Sequence, residues 1–401
     1  MDTKKLIYVD NAATTKVYQS VVDKMLPYLT EIYGNPSSQF YALGRDARAA
    51  LEKARAGIAQ MLGCEPRELY FTSGGTESDN WAIKGIALSA KNAGKGNHII
   101  TSKIEHPAVL NTLETLEKQG FEVTYLDVYD NGLVRLEDVE KAIRPETVLV
   151  TIMYANNEIG TVQPIKEIAD ITKKNKIPFF TDAVQAVGKI DINVKEIGVD
   201  ALSFSGHKIH APKGVGALYI RKGLRIPNLI EGGGQERGNR SGTENVAGAV
   251  ALEEALRLTL YDYEGREKTR KMRDYLVENL LTIPYSRLNG DRDNRLSETV
   301  NFSFEFIEGE GLIMLLDMAG ICASTGSACS TGSLEPSHVL RALGLPHEIC
   351  HGSLRISLSP ENTFEEMDYI IEKVKWAVDR LRSMSPLYES KLKSNTESQE
   401  K

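Results

Sequence analysis

Lys208 closes the segment Ser203-Phe-Ser205-Gly-His207-Lys208, just after an apolar run at 201–205, and Pro212-Lys-Gly214-Val-Gly216 follows it. In open α/β sheets ligands gather at the carboxyl ends of strands. A partly desolvated lysine there has its neutral amine favoured and can condense with a carbonyl. Taken alone, an exposed loop lysine is the plainer reading. A second strand end shifts it: Thr181-Asp182-Ala-Val-Gln185 sets a carboxylate and an amide where the run 177–181 stops. A carboxylate that pairs with a pyridinium nitrogen keeps the ring an electron sink, and an amide can donate to the ring's phenolate oxygen. With an amine nucleophile, this is the donor set that pyridoxal 5′-phosphate needs. Asp182 as a mere cap of the next helix is the alternative.

Phe71-Thr-Ser73-Gly74-Gly75-Thr76-Glu-Ser-Asp79 reads as strand end, glycine turn and helix start, which aims backbone N–H groups and a positive dipole at a phosphate. Thr76 as a helix cap with Asp79 three residues on is compatible with the same reading. Glu105-His106-Pro107 ends another strand and starts a helix, so His106 faces the same rim, where an imidazole can stack on a pyridine ring and pass protons. Cys329 stands in Ser324-Thr-Gly-Ser327-Ala-Cys329-Ser-Thr-Gly-Ser333-Leu-Glu-Pro336, a stretch too polar and glycine-rich for a core. Its thiolate suits a nucleophile that attacks sulfur and carries it away, whereas Cys64 and Cys322 look like the inert thiols that sit in apolar company, and Cys350 is set aside. A metal site from His347, Cys350 and His351 lacks a fourth ligand.

The elements that must position these groups are legible as well. Short β-rich runs at 98–102, 121–128, 147–154, 177–181, 201–205 and 216–221, with the strand ending at Phe71, alternate with helical stretches, which predicts a mostly parallel sheet flanked by helices. From 244 to 282 the pattern turns to a long helical stretch interrupted near 261–265. Beyond it Val300, Phe302, Phe304 and Phe306 alternate with Asn301, Ser303 and Glu305, and Leu354, Ile356 and Leu358 repeat the pattern. These are expected to be strands with one buried face, with Arg355 pointing away from that core. A last helix opens on the capping box Thr363-x-x-Glu366, and the polar residues 387–401 are expected to be disordered. The 401 residues amount to two or three domains at about 150 residues each. The 48 basic against 55 acidic side chains, net charge -7, argue against nucleic acid as a partner. No apolar run reaches bilayer length and no secretory signal is evident, so a cytoplasmic location without membrane attachment is expected.

Together, Ser205-Gly-His207-Lys208, Thr181-Asp182-Ala-Val-Gln185, Gly75-Thr76-Glu-Ser, Gln235-Glu-Arg-Gly and Arg240-Ser-Gly-Thr243-Glu-Asn resemble the pyridoxal-phosphate cysteine desulfurases of the NifS/IscS type, in the class V aminotransferase family. The resemblance runs from Tyr8 to about Pro386 and includes the long loop around Cys329. It implies the α/β architecture of pyridoxal-phosphate fold type I: a large domain (15–262) with a mostly parallel seven-stranded sheet flanked by helices, and a smaller α+β domain (1–14 and 263–386) carrying the cysteine loop. It also implies conversion of L-cysteine to L-alanine with a persulfide on Cys329, for iron-sulfur cluster assembly. Lys208 would carry the cofactor, His106 would stack on the ring and transfer protons, and Asp182 and Gln185 would hold the ring. Gly75, Thr76, Ser205 and His207 would hold the phosphate. Asn157 would touch cofactor and substrate, Asn35 the substrate, and Arg355 the substrate carboxylate. Thr243 would reach the phosphate of a neighbouring subunit, which implies a homodimer. A NifU/IscU-type scaffold or another sulfur acceptor would take the product. No metal is implied in the free enzyme, although Cys329 could ligate a nascent cluster. Selenocysteine lyases and other class V aminotransferases use the same core, and Cys329 discriminates against them.

Overall fold

The protein is described by a computed structural model that covers residues 6–325 and 336–399, with side chains to residue 392. Strands that are apolar throughout need cover on both faces, and the helices supply it. In chain order the strands are β1 (Ile7–Tyr8), β2 (Leu69–Thr72), β3 (His98–Ser102), β4 (Glu122–Leu126), β5 (Thr147–Thr151), β6 (Phe179–Asp182), β7 (Ala201–Ser205), β8 (Gly216–Ile220), β9 (Ser286–Leu288), β10 (Thr299–Phe304), β11 (Ile321–Cys322) and β12 (Ser353–Ser357). Seven of them form one sheet in the order β2-β8-β7-β6-β5-β3-β4, in which only β8 runs against the rest. Neighbouring residues along each strand point to opposite faces. Ile99, Leu149, Phe180 and Leu218 therefore pack with Trp81, Ile86, Val109 and Leu113 on one side. Ile100, Val150, Phe179 and Leu202 pack with Ile168, Leu252 and Leu256 on the other. This is the sheet expected from the sequence. The run read as 177–181 is shifted to Phe179–Asp182, so Asp182 is itself the last strand residue.

A second core lies on the three-stranded antiparallel sheet β12-β10-β9. Val300, Phe302, Phe304, Leu354 and Ile356 face Met272, Leu276, Leu312, Met367, Ile370 and Val374 from three helices, and Ile7 and Val9 join them. The expectation of a single buried face needs correction, because every residue of β10 and β12 is buried. The polar face is covered by the first unit and partly satisfied by hydrogen bonds, with Thr299 Oγ1, Asn289 Oδ1 and Arg355 Nε lacking a partner among the described residues. Asn301 Nδ2 donates to Glu158 O at 3.1 Å, and Asn289 Nδ2 donates to Asn301 Oδ1 at 2.8 Å and Ser303 Oγ at 2.9 Å. Arg355 does point away from the second core, into this junction, where it is 2% exposed.

A second correction concerns the C-terminus, where residues 386–399 form a helix (Pro386–Gln399) in place of the expected disorder. Its first turn is docked. The Tyr388 ring lies 5.6 Å from Phe306 and 6.3 Å from Tyr285, with the Arg382 guanidinium 5.4 Å away. Pro386 supplies a favourable first helical position, and aromatic packing provides what the polar composition lacked.

Candidate active site

Because β2, β3, β5, β6 and β7 run the same way, their carboxyl ends share one rim. Lys208 sits there in a single 3-10 turn, Gly206–Lys208, directly after β7. Its Nζ donates to Ala12 O at 2.5 Å and Ala13 O at 2.8 Å. Gln185 Nε2 also donates to Ala12 O, at 3.0 Å, and Lys189 Nζ donates to Gln185 Oε1 at 3.0 Å. The N-terminal segment thus crosses the rim, tied to the second sheet where Ser357 Oγ accepts from Ala12 N. Asp182 ends β6, and its Oδ1 accepts from Val184 N at 2.9 Å, which closes a turn and not a helix cap.

His106 is the N-cap of the Pro107–Glu117 helix, where its Nδ1 accepts from Ala108 N at 3.1 Å. That bond assigns the proton of the neutral ring to Nε2. One oxygen each from Asp79 and Asp182 and a ring nitrogen of His106 lie within 4.8 Å of one another. The structure therefore brings together Asp182 and His106, and adds Asp79.

The electrostatics follow from burial. Desolvation pushes the Asp182 carboxyl up, opposed by His106, by the Val184 N–H and by Lys208. His106 is pushed down by desolvation, with Asp182 opposing. Glu105, fully buried, is pushed up to about 8 by desolvation. Its Oε1 accepts from Ser102 Oγ at 2.5 Å and from Met153 N at 3.0 Å, and its Oε2 has no partner among the described residues. His207 is pushed down to about 4 by desolvation, with Lys208 and Lys213 adding to it.

At Gly74–Thr76, where the sequence leads one to expect a phosphate cradle, the structure has a close-packed glycine turn that starts a helix. Gly74 has φ +155°, and a Cβ on Gly216 of β8 would lie 2.6 Å from the Gly74 Cα, so the turn needs glycine in both places. A Cβ on Gly75 would lie 2.6 Å from Val184 Cγ2. The helix Gly75–Asn92 starts here with Gly74 as N-cap and no side-chain cap. This overturns Thr76 as a cap residue: Thr76 lies inside the first turn, and Asp79 is buried toward the sheet, with its Oδ1 accepting from Ser203 Oγ at 2.5 Å. Ser205, 4% exposed, stands beside Gly74.

Arg355 reaches the rim from β12. Its Nη2 donates to Asp10 Oδ1 at 2.8 Å and its Nη1 to Asn157 O at 3.1 Å, while its buried Nε has no partner among the described residues. Asn35 and Thr243 are exposed. The Asn35 Oδ1 accepts from Ser37 N at 2.9 Å, and neither side chain bonds to the rim among the described residues. Cys329 lies outside the described residues. The remaining thiols are held protonated by desolvation: Cys64, half-buried, is pushed up to about 12, and half-buried Cys322 and buried Cys350 are also pushed up.

Asp10, Asp79, Glu105 and His338, whose Nε2 donates to Glu105 O at 3.0 Å, were not singled out by the sequence reading. A signal existed for two of them. Asp10 follows the apolar run of β1 as Asp182 follows that of β6. Asp79 lies on the stripe Asp79, Ala82, Ile83, Ile86, whose spacing marks a helix's buried face.

These donors fit pyridoxal 5′-phosphate: a glycine cradle that a Cβ would fill, a lysine amine, a buried carboxylate for the ring nitrogen and an imidazole beside them. The comparisons agree. The aminotransferase class-V family model matches residues 7–370. The chain is 56% identical over 384 residues to a cysteine desulfurase IscS of Methanosarcina thermophila, covering 96% of this chain and 94% of that one. It is 52% identical to a cysteine desulfurase IscS of Clostridium botulinum, covering 98% and 99%. Among solved structures, a NifS-like protein superimposes with TM-score 0.88 at 42% identity, covering 93% of this chain and 99% of the other. SspA in complex with cysteine superimposes with TM-score 0.79 at 40% identity, covering 89% and 100%. With such identity over nearly its whole length, the chain belongs to the class-V aminotransferases, in their pyridoxal-phosphate-dependent cysteine desulfurase branch.

Proposed function

We propose that this enzyme takes sulfur from L-cysteine, leaves L-alanine, and carries the sulfur as a persulfide on Cys329 for transfer to an acceptor in iron-sulfur cluster assembly. The observation that carries this reading is the convergence of Lys208, Asp182 and His106 on one rim, with Arg355 reaching it from the second sheet. When bound, pyridoxal 5′-phosphate would supply the electron sink that makes the substrate's α-proton acidic and takes up the C–S bonding pair when the sulfur is attacked, the carbon being left as alanine.

The residues around it have separable tasks. Gly74, Gly75 and Thr76, with Ser205 and His207, would hold the phosphate. Asp182 would pair with the ring nitrogen. Gln185, which donates to Ala12 O in this structure, would hold the ring's oxygen. Lys208, whose Nζ donates to the Ala12 and Ala13 carbonyls at the rim, would carry the cofactor and move the α-proton. His106, its Nε2 carrying the proton, is the second proton donor. Arg355 offers a planar fork to the substrate carboxylate, and its unpartnered Nε supports that assignment. Asn157 lies beside it, and Asn35, exposed in its loop, is assigned to the substrate by the family resemblance alone. Cys329 attacks the substrate sulfur as a thiolate, so that cysteine plus enzyme thiol becomes alanine plus enzyme persulfide.

We read 15–262 as the cofactor-binding unit, and 1–14 with 263–386 as the unit that presents the Cys329 loop. A homodimer in which Thr243 completes the neighbouring site is supported by the exposure of Thr243 and of Leu26, Leu29, Tyr33, Phe40 and Tyr41. The acceptor is a NifU/IscU-type scaffold or another sulfur-carrying protein. Among the described residues no helix is long and apolar enough to cross a membrane, which agrees with a cytoplasmic enzyme.

The test is alanine and sulfide release from L-cysteine with a reductant, for the intact enzyme and for Cys329→Ser, both carrying the yellow cofactor chromophore. Loss of alanine release with the chromophore retained is expected. Unchanged release from the variant would move the reaction to a lyase or transaminase.

A further inference from the structure

Asp79 is a buried carboxyl for which the chemistry above has no use. It is 1% exposed, on the sheet-facing side of the Gly75–Asn92 helix, within 4.8 Å of both Asp182 and His106 as measured between ligand-capable atoms. The groups that face it are Asp182 from β6, Glu105 from beyond β3, and Ser203 of β7, whose Oγ donates to Oδ1 at 2.5 Å. Lys208 and His106 face Asp182, and the Val184 N–H donates to it.

Two carboxylates this close and out of water cannot both ionise, so the pair holds one proton between them. Its location follows from the neighbours. Asp182 has an N–H donor, a lysine and an imidazole, all of which favour the anion. Asp79 has one hydroxyl and a further carboxyl beside it, and burial together with the charge of Asp182 pushes it well above the usual carboxylate range.

We propose that Asp79 is a positioning residue: it stays a neutral carboxylic acid and, once the gap to Asp182, at most 4.8 Å and not bridged by a hydrogen bond in this structure, closes around the bound cofactor, it donates its O–H to Asp182, so that Asp182 is fixed as the anion facing the ring nitrogen. A hydrogen bond to the anion lowers the basicity of Asp182 and thereby keeps the shared proton of the ring contact on the ring nitrogen. This rests on Asp182 as the ring partner.

The test uses the holoenzyme and two readouts independent of turnover: the rate of cofactor loss on dilution and the pH titration of the cofactor's visible band. In Asp79→Ala, loss of the cofactor is expected to be at least about tenfold faster and the titration to move by about one pH unit, the equivalent of one strong hydrogen bond. In Asp79→Asn, whose amide can donate to Asp182 and accept from Ser203, both readouts should recover to within about threefold of the parent. An Asn variant as impaired as the Ala variant would mean that Asp79 acts as an anion and would overturn the proposal. Parent-like behaviour of both variants would reduce Asp79 to a structural residue and overturn it too. If Asp79→Ala does not fold, infrared difference spectra of parent against Asp79→Asn decide: the carbonyl band of a protonated carboxylic acid should disappear, and its absence from the parent overturns the proposal. Asp182→Asn separates the underlying reading, because an unchanged titration in that variant would show that Asp182 is not the ring partner at all.

Discussion

The residues of the rim are arranged so that buried carboxyls outnumber the cations that could neutralise them, and burial resolves the excess through protons. Glu105 shows this most simply. In the folded protein its carboxyl is pushed up to about 8 by desolvation, from an ordinary value of 4.5. Between those two values the unfolded chain has released the proton while the native state still holds it. Native protein then binds more protons than unfolded protein, and stability falls as pH rises through the window. Glu105→Gln keeps the neutral form at every pH. Its melting temperature relative to the parent is therefore expected to rise steadily between pH 5 and pH 8, measured by thermal unfolding of the holoenzyme. A constant difference over that range would show that Glu105 is ionised in the native state. Most of this was hidden in the sequence. Lys208, Asp182 and His106 could be picked out because each ends a strand, whereas Glu105 differs from an ordinary loop glutamate only in being covered.

At the scale of elements, the turn Gln235–Gly238 is the clearest case of strain held by a buried ion pair. Glu236 and Arg237 have φ of +46° and +60°, the left-handed region that non-glycine residues avoid. Glu236 is held there by Arg55 of the Ala42–Leu62 helix through two bonds of 2.8 and 2.7 Å, and it accepts from Phe71 N of β2 at 3.0 Å. Arg237 Nη2 donates to Leu69 O at 2.7 Å. Removing one partner of a buried pair leaves the other charge uncompensated. Arg55→Ala is therefore expected to destabilise by about 3–5 kcal/mol, and a double replacement of Arg55 and Glu236 by apolar residues to recover much of it. Denaturant unfolding of the three proteins checks this, and a loss below about 1 kcal/mol, the range of an exposed pair, would show that the pair is solvated. Strand and helix identities were readable from periodicity. The C-terminal helix was not, since its docking depends on Tyr285 and Phe306, about a hundred residues earlier.

For the whole molecule, the segment from Leu26 to Tyr41 exposes apolar side chains, with Phe40 fully out in solvent. Such a surface costs a monomer solubility unless a second copy covers it. Phe40→Glu is expected to shift the enzyme from dimer toward monomer in light scattering at micromolar concentration. A variant that stays dimeric, or a parent that is monomeric, would remove this segment from the interface.

By itself the sequence determined which residues can do the chemistry and the parallel sheet that gathers them. Both are local properties: a residue type at a strand end, and apolar runs with a fixed period. Its motifs also carried the resemblance that points to the family. Only the tertiary structure decided which charges are buried and which groups meet. Asp79 and Asp182 are far apart in sequence and come within 4.8 Å of each other because a helix lies against β6 and β7. Arg355 reaches the rim because the second sheet turns its polar face inward against the first unit. Burial is a sum over distant segments, and no window of the chain contains it.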